Sequence, residues 1–182
     1  MTVPAPRSPG IPANLARKGA IPLALLAALT SPLAYTTLDR LEGNVLRVYA
    51  DNLARGIPTF CAGRTDWAAK VGDKLTDDQC KEVNKITLLE YGYSVLGCVD
   101  WAYLTPERLI GLTMFAVNVG KAGACGSQAV RMINAGSIGA GCDLIARTPA
   151  GLPNWSTAGG VYVQGLQNRR QVERGFCRKG LA

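Results

Sequence analysis

The sequence predicts an α+β fold: a mostly helical domain with a small β-hairpin subdomain beside a cleft, preceded by an N-terminal hydrophobic helix. Three observations predict it. From Thr76 onward, stretches of apolar residues at helical spacing begin at good capping residues. Between Gly43 and Thr65 the chain is turn-rich, with Gly56 and Pro58 interrupting β-forming residues. From Gly19 to Leu38 there is no charged side chain. The 182 residues and 48% hydrophobic content suit one folded domain with a sizeable core.

In chain order, residues 1–18 read as a disordered tail, Pro-rich up to Asn14 and closed by Arg17 and Lys18. Residues 19–37 form the next segment. The uncharged run GAIPLALLAALTSPLAYTTL is just long enough to span a bilayer, yet its Ala, Ser and Thr content and its Pro22 and Pro32 make insertion marginal. Basic residues on its N-terminal side put that end in the cytoplasm and the rest of the chain outside. A cleaved signal would need a small-x-small site, and Pro32-Leu33-Ala34 is a poor one. A permanent anchor would be more hydrophobic, and a first core helix would not carry two prolines.

The folded domain is expected over 38–182. Leu38 and Leu41 have helical spacing, and Gly43 ends that helix near Glu42. The hairpin follows, with Asp51 at a strand end or turn and Thr59 on the second strand; a loop covers 65–74. Thr76-Asp77-Asp78-Gln79 is a capping box for a helix to about Leu96. Thr105 caps a helix with Pro106 in its first turn, apolar nearly all round through Leu109, Leu112, Met114, Phe115 and Val117, and ended by Asn118, Val119 and Gly120. Two short helices occupy 127–135 and 139–147, separated by Gly136. A Gly- and Pro-rich loop holds Trp155, and Val161 to Cys177 forms a closing helix. On that helix Arg169, Arg170, Arg174, Arg178 and Lys179 surround Glu173, a pattern that reads as a solvated basic face with helix pairs such as Arg170 with Glu173.

Composition narrows the chemistry. There is no histidine, which removes Ser-His and Cys-His catalysis and His-ligated zinc. The six cysteines, 61, 80, 98, 125, 142 and 177, never form CxxC, so neither a metal nor a cofactor is expected. In an exported chain they read as disulfides, although spacing alone selects no pairing. A net charge of +7 suits a polyanionic partner such as an anionic membrane or a bacterial wall. Nucleic acid is not expected, because the basic residues are dispersed and no binding motif is present.

Carboxylates remain as the catalytic candidates. Glu42 sits at a helix C-terminus, where the partial negative charge opposes a second one, so it reads as a proton donor. Asp51, nine positions later, sits in a wetter turn as an acceptor. Two carboxylates in different surroundings are what glycosidic cleavage requires.

The run LEG, then YAD, then GIPTFCAGRT resembles the Glu, Asp and Thr constellation of phage-type lysozymes, glycoside hydrolase family 24. The resemblance continues through LTDDQC, LTPERLIGLTMFAVNVG, RMINAG and GLQNRRQVERGFC, covering 38–180 in order. It implies a lysozyme-like fold and hydrolysis of the β-1,4 bond between N-acetylmuramic acid and N-acetylglucosamine in peptidoglycan, with Glu42 as general acid and Asp51 and Thr59 positioning water. It implies the pairs Cys61–Cys80, Cys98–Cys125 and Cys142–Cys177. Residues 19–37 become a signal-arrest-release segment, tethering a monomeric enzyme to the inner membrane after export to the periplasm. Asn118 lies where family members line the substrate cleft, though a helix C-cap explains the NVG sequence equally. Trp155 suits sugar stacking or a lid over the core. Two features depart from the family: Asp51 to Thr59 spans eight positions, two more than usual, through Leu53-Ala54-Arg55, and CAGRT places Ala62 and Arg64 where relatives carry other side chains. A lytic transglycosylase on the same fold and an inactive wall-binding protein are the alternatives.

Overall fold

The computed structural model describes residues 8–51, 56–65 and 69–181. Leu53 to Arg55, the start of the tail and the middle of the 65–74 loop lie outside that description. In chain order the elements are α1 Ala13–Ala16, α2 Leu23–Leu29, α3 Pro32–Glu42, β1 Val45–Asp51, β2 Ile57–Cys61, α4 Asp77–Cys98, α5 Pro106–Val119, α6 Lys121–Cys125, α7 Gln128–Asn134, α8 Ile138–Asp143, β3 Thr157–Ala158, β4 Val161–Tyr162 and α9 Gln164–Arg178. They fall into two compact units, one holding Thr30–Leu89 and the other Ile11–Leu29 with the chain from Glu90 onward.

The apolar run over 19–37 is two helices rather than the single one expected. Pro32 has no N–H to donate and forces Ser31 into an extended conformation, so α2 stops and a new helix starts. Ser31 caps the restart, its Oγ accepting from the Ala34 N–H at 3.1 Å. Among the described residues no helix is long and apolar enough to cross a membrane. Residue 38, the expected first residue of the folded domain, lies inside α3 with its side chain fully buried.

In the first unit, α3 ends where Gly43 takes a φ of 77° and returns its N–H to Asp39 O at 2.9 Å. The hairpin pairs Asp51 with Ile57, Ala50 with Pro58, Tyr49 with Thr59 and Val45 with Cys61. β1 thus carries two extra residues between Val45 and Tyr49. There it uses its other edge: Val48 N–H donates to Asp73 O at 2.9 Å and Leu75 N–H to Leu46 O at 2.8 Å. Beneath lie Val48, Phe60, Cys61, Ala69, Leu75, Cys80 and Val83. The capping box of α4 is reciprocal, Gln79 N–H to Thr76 Oγ1 and Thr76 N–H to Gln79 Oε1.

A polar cluster joins α3 to α4. Asn84, fully buried, donates to Asp39 Oδ1 at 2.9 Å. Burial, and then the charge of Asp39, push the Tyr35 hydroxyl up; burial raises the Asp39 carboxyl more than its hydrogen bonds from Tyr35 and Asn84 lower it. Across the interval above the ordinary carboxylate value, the folded chain keeps a proton that the unfolded chain releases. Stability therefore falls as pH rises through that interval. Asp39→Asn removes this penalty, so its stability relative to wild type is expected to be more favourable at pH 7 than at pH 3 in denaturant titrations. The opposite trend would contradict the burial of Asp39.

In the second unit α5 is the central helix. Thr105 Oγ1 caps it by accepting from the Arg108 N–H at 3.1 Å, and Arg108 to Ala116 are all buried. It packs on α9 and α2. A Cβ on Gly111 would sit 2.7 Å from Glu173 O and 2.9 Å from Cys177 N, so glycine is required for the helix backbones to approach. Gly111→Ala is expected to destabilise the chain by about 1–3 kcal/mol, read from its denaturant midpoint.

The described part of the tail is not extended chain. α1 buries Leu15 completely in this unit, and Lys18 Nζ donates to Leu96 O at 3.1 Å and Val99 O at 3.3 Å at the C-terminal end of α4. The disulfides are Cys61–Cys80, Cys98–Cys125 and Cys142–Cys177, with sequence separations of 19, 27 and 35, each worth about 3–4 kcal/mol by loop closure. Residues 161–162 are strand β4, not the start of the closing helix; with Gly159-Gly160 at its turn, the chain makes a short β3–β4 hairpin first.

Candidate active site

Glu42 is the last residue of α3, held there because Gly43 cannot continue the helix. Its Oε1 is shielded from solvent, and Oε2 lies 4.0 Å from where a Cβ on Gly63 would stand. Gly63 belongs to the turn after β2, closed by Phe60 N–H to Arg64 O at 3.0 Å and Arg64 N–H to Phe60 O at 2.9 Å. The helix end and this turn thus bring the carboxyl against backbone. Arg64 extends to α4, where Nη1 donates to Thr87 Oγ1 at 3.2 Å, while Ala62 is buried.

The ladder register positions the second pair of residues. Asp51 opposes Ile57 and Tyr49 opposes Thr59, so Asp51 and Thr59 lie on the same face as diagonal neighbours, separated by about 7–8 Å between Cα atoms. The long Asp51 to Thr59 spacing does not slip the ladder. The last described pair is Asp51 with Ile57, and the Gly56 N–H closes back to Asp51 O at 2.7 Å. Thr59 is buried, its Oγ1 donating to Ile57 O at 3.0 Å.

Asn118 and Trp155 belong to the other unit. Asn118 is exposed at the C-terminal end of α5, and its Oδ1 accepts from Arg170 Nη2. Trp155 is 38% exposed, and its ring meets Phe115 edge-on at 5.3 Å between centroids. Its backbone has a φ of 54°, and its N–H donates to Asn154 Oδ1 at 3.1 Å. It both covers the core and presents a ring to solvent.

The solvated basic face expected on α9 is instead partly a buried ion network. Arg169 Nε meets Glu173 Oε1 at 2.9 Å and Arg170 Nη1 meets Glu173 Oε2 at 3.0 Å, with Arg170 and Glu173 fully buried. Arg169 Nη2 also donates to Met114 O at 3.1 Å. The reason is α5, whose apolar surface draws in this face of α9; Glu173 faces both guanidinium groups as a shared carboxylate, while Met114 O accepts from Arg169 and Asn118 Oδ1 from Arg170. The spacing of the pairs is legible in the residues, and their burial is not. Arg174 and Arg178 behave closer to expectation, both pairing with the partly exposed Asp143.

Residues 39–173 match the phage lysozyme family. The chain belongs to that family. Among its relatives, the SAR-endolysin of Bacteriophage PS119 is 32% identical over 140 residues, covering 76% of this chain and 77% of that protein. The SAR-endolysin of Enterobacteria phage P21 is 31% identical with coverage of 76% and 78%. In fold, this lysozyme is similar to the muramidase domain of SpmX from Asticaccaulis excentricus, with a TM-score of 0.70 at 20% identity, over 81% of this chain and 96% of the other. The active form of P1 phage endolysin Lyz gives a TM-score of 0.69 at 19% identity, over 92% and 91% of the two chains. The lysozyme-like fold is thereby shown. Among the described residues of this lysozyme, no group of three or more acidic or cysteine side chains is gathered as a metal site.

Proposed function

We propose that Glu42 is the general acid of this lysozyme and that Asp51 and Thr59 together position the attacking water. The protein is a glycoside hydrolase, a peptidoglycan-hydrolysing endolysin. For the β-1,4 bond between N-acetylmuramic acid and N-acetylglucosamine, the carboxyl at the end of α3 delivers a proton to the leaving oxygen. A carboxylate and a hydroxyl on one face of the hairpin then hold water for the sugar's developing cation. The observation that carries the reading is the register that keeps Asp51 beside Thr59 despite the lengthened turn. Asn118 and Trp155 are assigned to substrate binding. Solubilisation of purified peptidoglycan by Asp51→Asn tests the hairpin role, with a loss of roughly 100-fold or more expected and wild-type solubilisation as the contrary result.

Residues 19–37 are proposed to carry the chain to the periplasm and hold it first at the inner membrane. The names of the relatives, the uncharged run and its preceding Arg17 and Lys18 support this. In the folded form the same residues bury Leu25, Leu29 and Ala34, so the tethered form must hold them differently. Freshly exported protein should resist alkaline extraction from membranes; full extraction would contradict the tether.

A further inference from the structure

The buried network of α9 reaches both residues assigned to substrate binding, Asn118 by a hydrogen bond and Trp155 through Phe115. Arg170 is fully buried, and its guanidinium lies over the Phe115 ring at 5.2 Å from the centroid. Phe115 in turn holds Trp155 edge-on, with 82° between the ring planes. One arm of the guanidinium fork meets Glu173 Oε2 and another donates to Asn118 Oδ1.

A guanidinium has only donors, so the atom of the Asn118 amide that faces Arg170 is the oxygen. The amide is thereby oriented. Its Nδ2 is left on an exposed residue, with no other partner among the described residues. We propose that Arg170 is a positioning residue: it fixes Asn118, one turn along α5 from the Phe115 that supports the Trp155 ring, as a hydrogen-bond donor for a carbonyl or carboxylate acceptor on the substrate. The proposal rests on the muramidase reading. Peptidoglycan offers such acceptors in the N-acetyl groups of its sugars and in its stem peptides.

The test is steady-state kinetics of the full chain on purified peptidoglycan, with Asn118→Asp and Arg170→Lys. An aspartate still accepts from Arg170 but offers no donor, so Asn118→Asp should raise KM about tenfold with kcat and thermal midpoint unchanged. Lysine keeps the charge facing Glu173 but lacks the second arm of the fork. Arg170→Lys should therefore raise KM similarly, and the double variant should be no worse than the poorer single one, because both act through one hydrogen bond. Wild-type KM in Asn118→Asp overturns the proposal, as does an Arg170→Lys that loses stability without changing KM. Should Arg170→Lys fail to fold, Asn118→Asp decides alone. De-N-acetylated peptidoglycan and glycan strands stripped of stem peptides identify the acceptor: the KM ratio of variant to wild type should collapse to one on whichever lacks it. A ratio that persists on both overturns the proposal. Failure of the wild type to hydrolyse wall would defeat the muramidase reading itself.

Discussion

Glu42→Gln is expected to lower the rate of peptidoglycan solubilisation by roughly 100- to 10,000-fold, the range for loss of a positioned general acid. Glutamine keeps the length and shape of the side chain at the end of α3, so Gly43 still terminates the helix and the Gly63 turn still has its neighbour. What is lost is the transferable proton. The thermal midpoint should move by no more than a few degrees, because neither the hairpin core nor the Cys61–Cys80 link to α4 is touched. A variant active within tenfold of wild type would remove Glu42 from the role of acid. Paired measurement of rate and midpoint separates lost chemistry from lost fold.

Glu173→Ala should produce the largest loss of stability among single side-chain changes considered. Glu173 is the shared carboxylate of Arg169 and Arg170, and removing it takes that carboxylate from two guanidinium groups at 8% or less exposure. Stripping one partner from a buried pair costs about 3–5 kcal/mol. Against a total stability of about 5–15 kcal/mol for a domain, that is a large fraction, readable as a fall in denaturant midpoint. Replacing Arg169, Arg170 and Glu173 together by methionines is expected to be far milder, since no buried charge is then orphaned. Equal losses in the two variants would contradict the ion-network reading of this face.

Much of this was legible in the residues themselves. The end of α3 at Glu42 follows from Gly43 alone, and the starts of α4 and α5 follow from Thr76 with Gln79 and from Thr105 with Pro106; all of these are local signals. The three disulfides were implied by family resemblance and not by spacing. The hidden parts depend on tertiary partners. Leu15 sits in a Pro-rich stretch whose composition suggests no order, and only its site in the second unit explains its burial. Arg169, Arg170 and Glu173 have the spacing of a surface salt-bridge set, and only the apolar surface of α5 turns them inward. The break at Pro32 was visible, yet it read as a weakness of one membrane helix rather than as the first turn of the helix that delivers Glu42. The four residues of β3 and β4 are too few for an alternating pattern to register.

Hydrolysis of the muramic acid bond with Glu42 as acid is tested most directly by mass analysis of the sugars released from purified peptidoglycan. The digest is run in heavy-oxygen water with the full chain and with Glu42→Gln in parallel. Fragments ending in reducing N-acetylmuramic acid that carry one oxygen from the solvent, and that vanish in the variant, are predicted. Anhydro-muramic ends without solvent oxygen would contradict the water-positioning role of Asp51 and Thr59 and make the enzyme a transglycosylase.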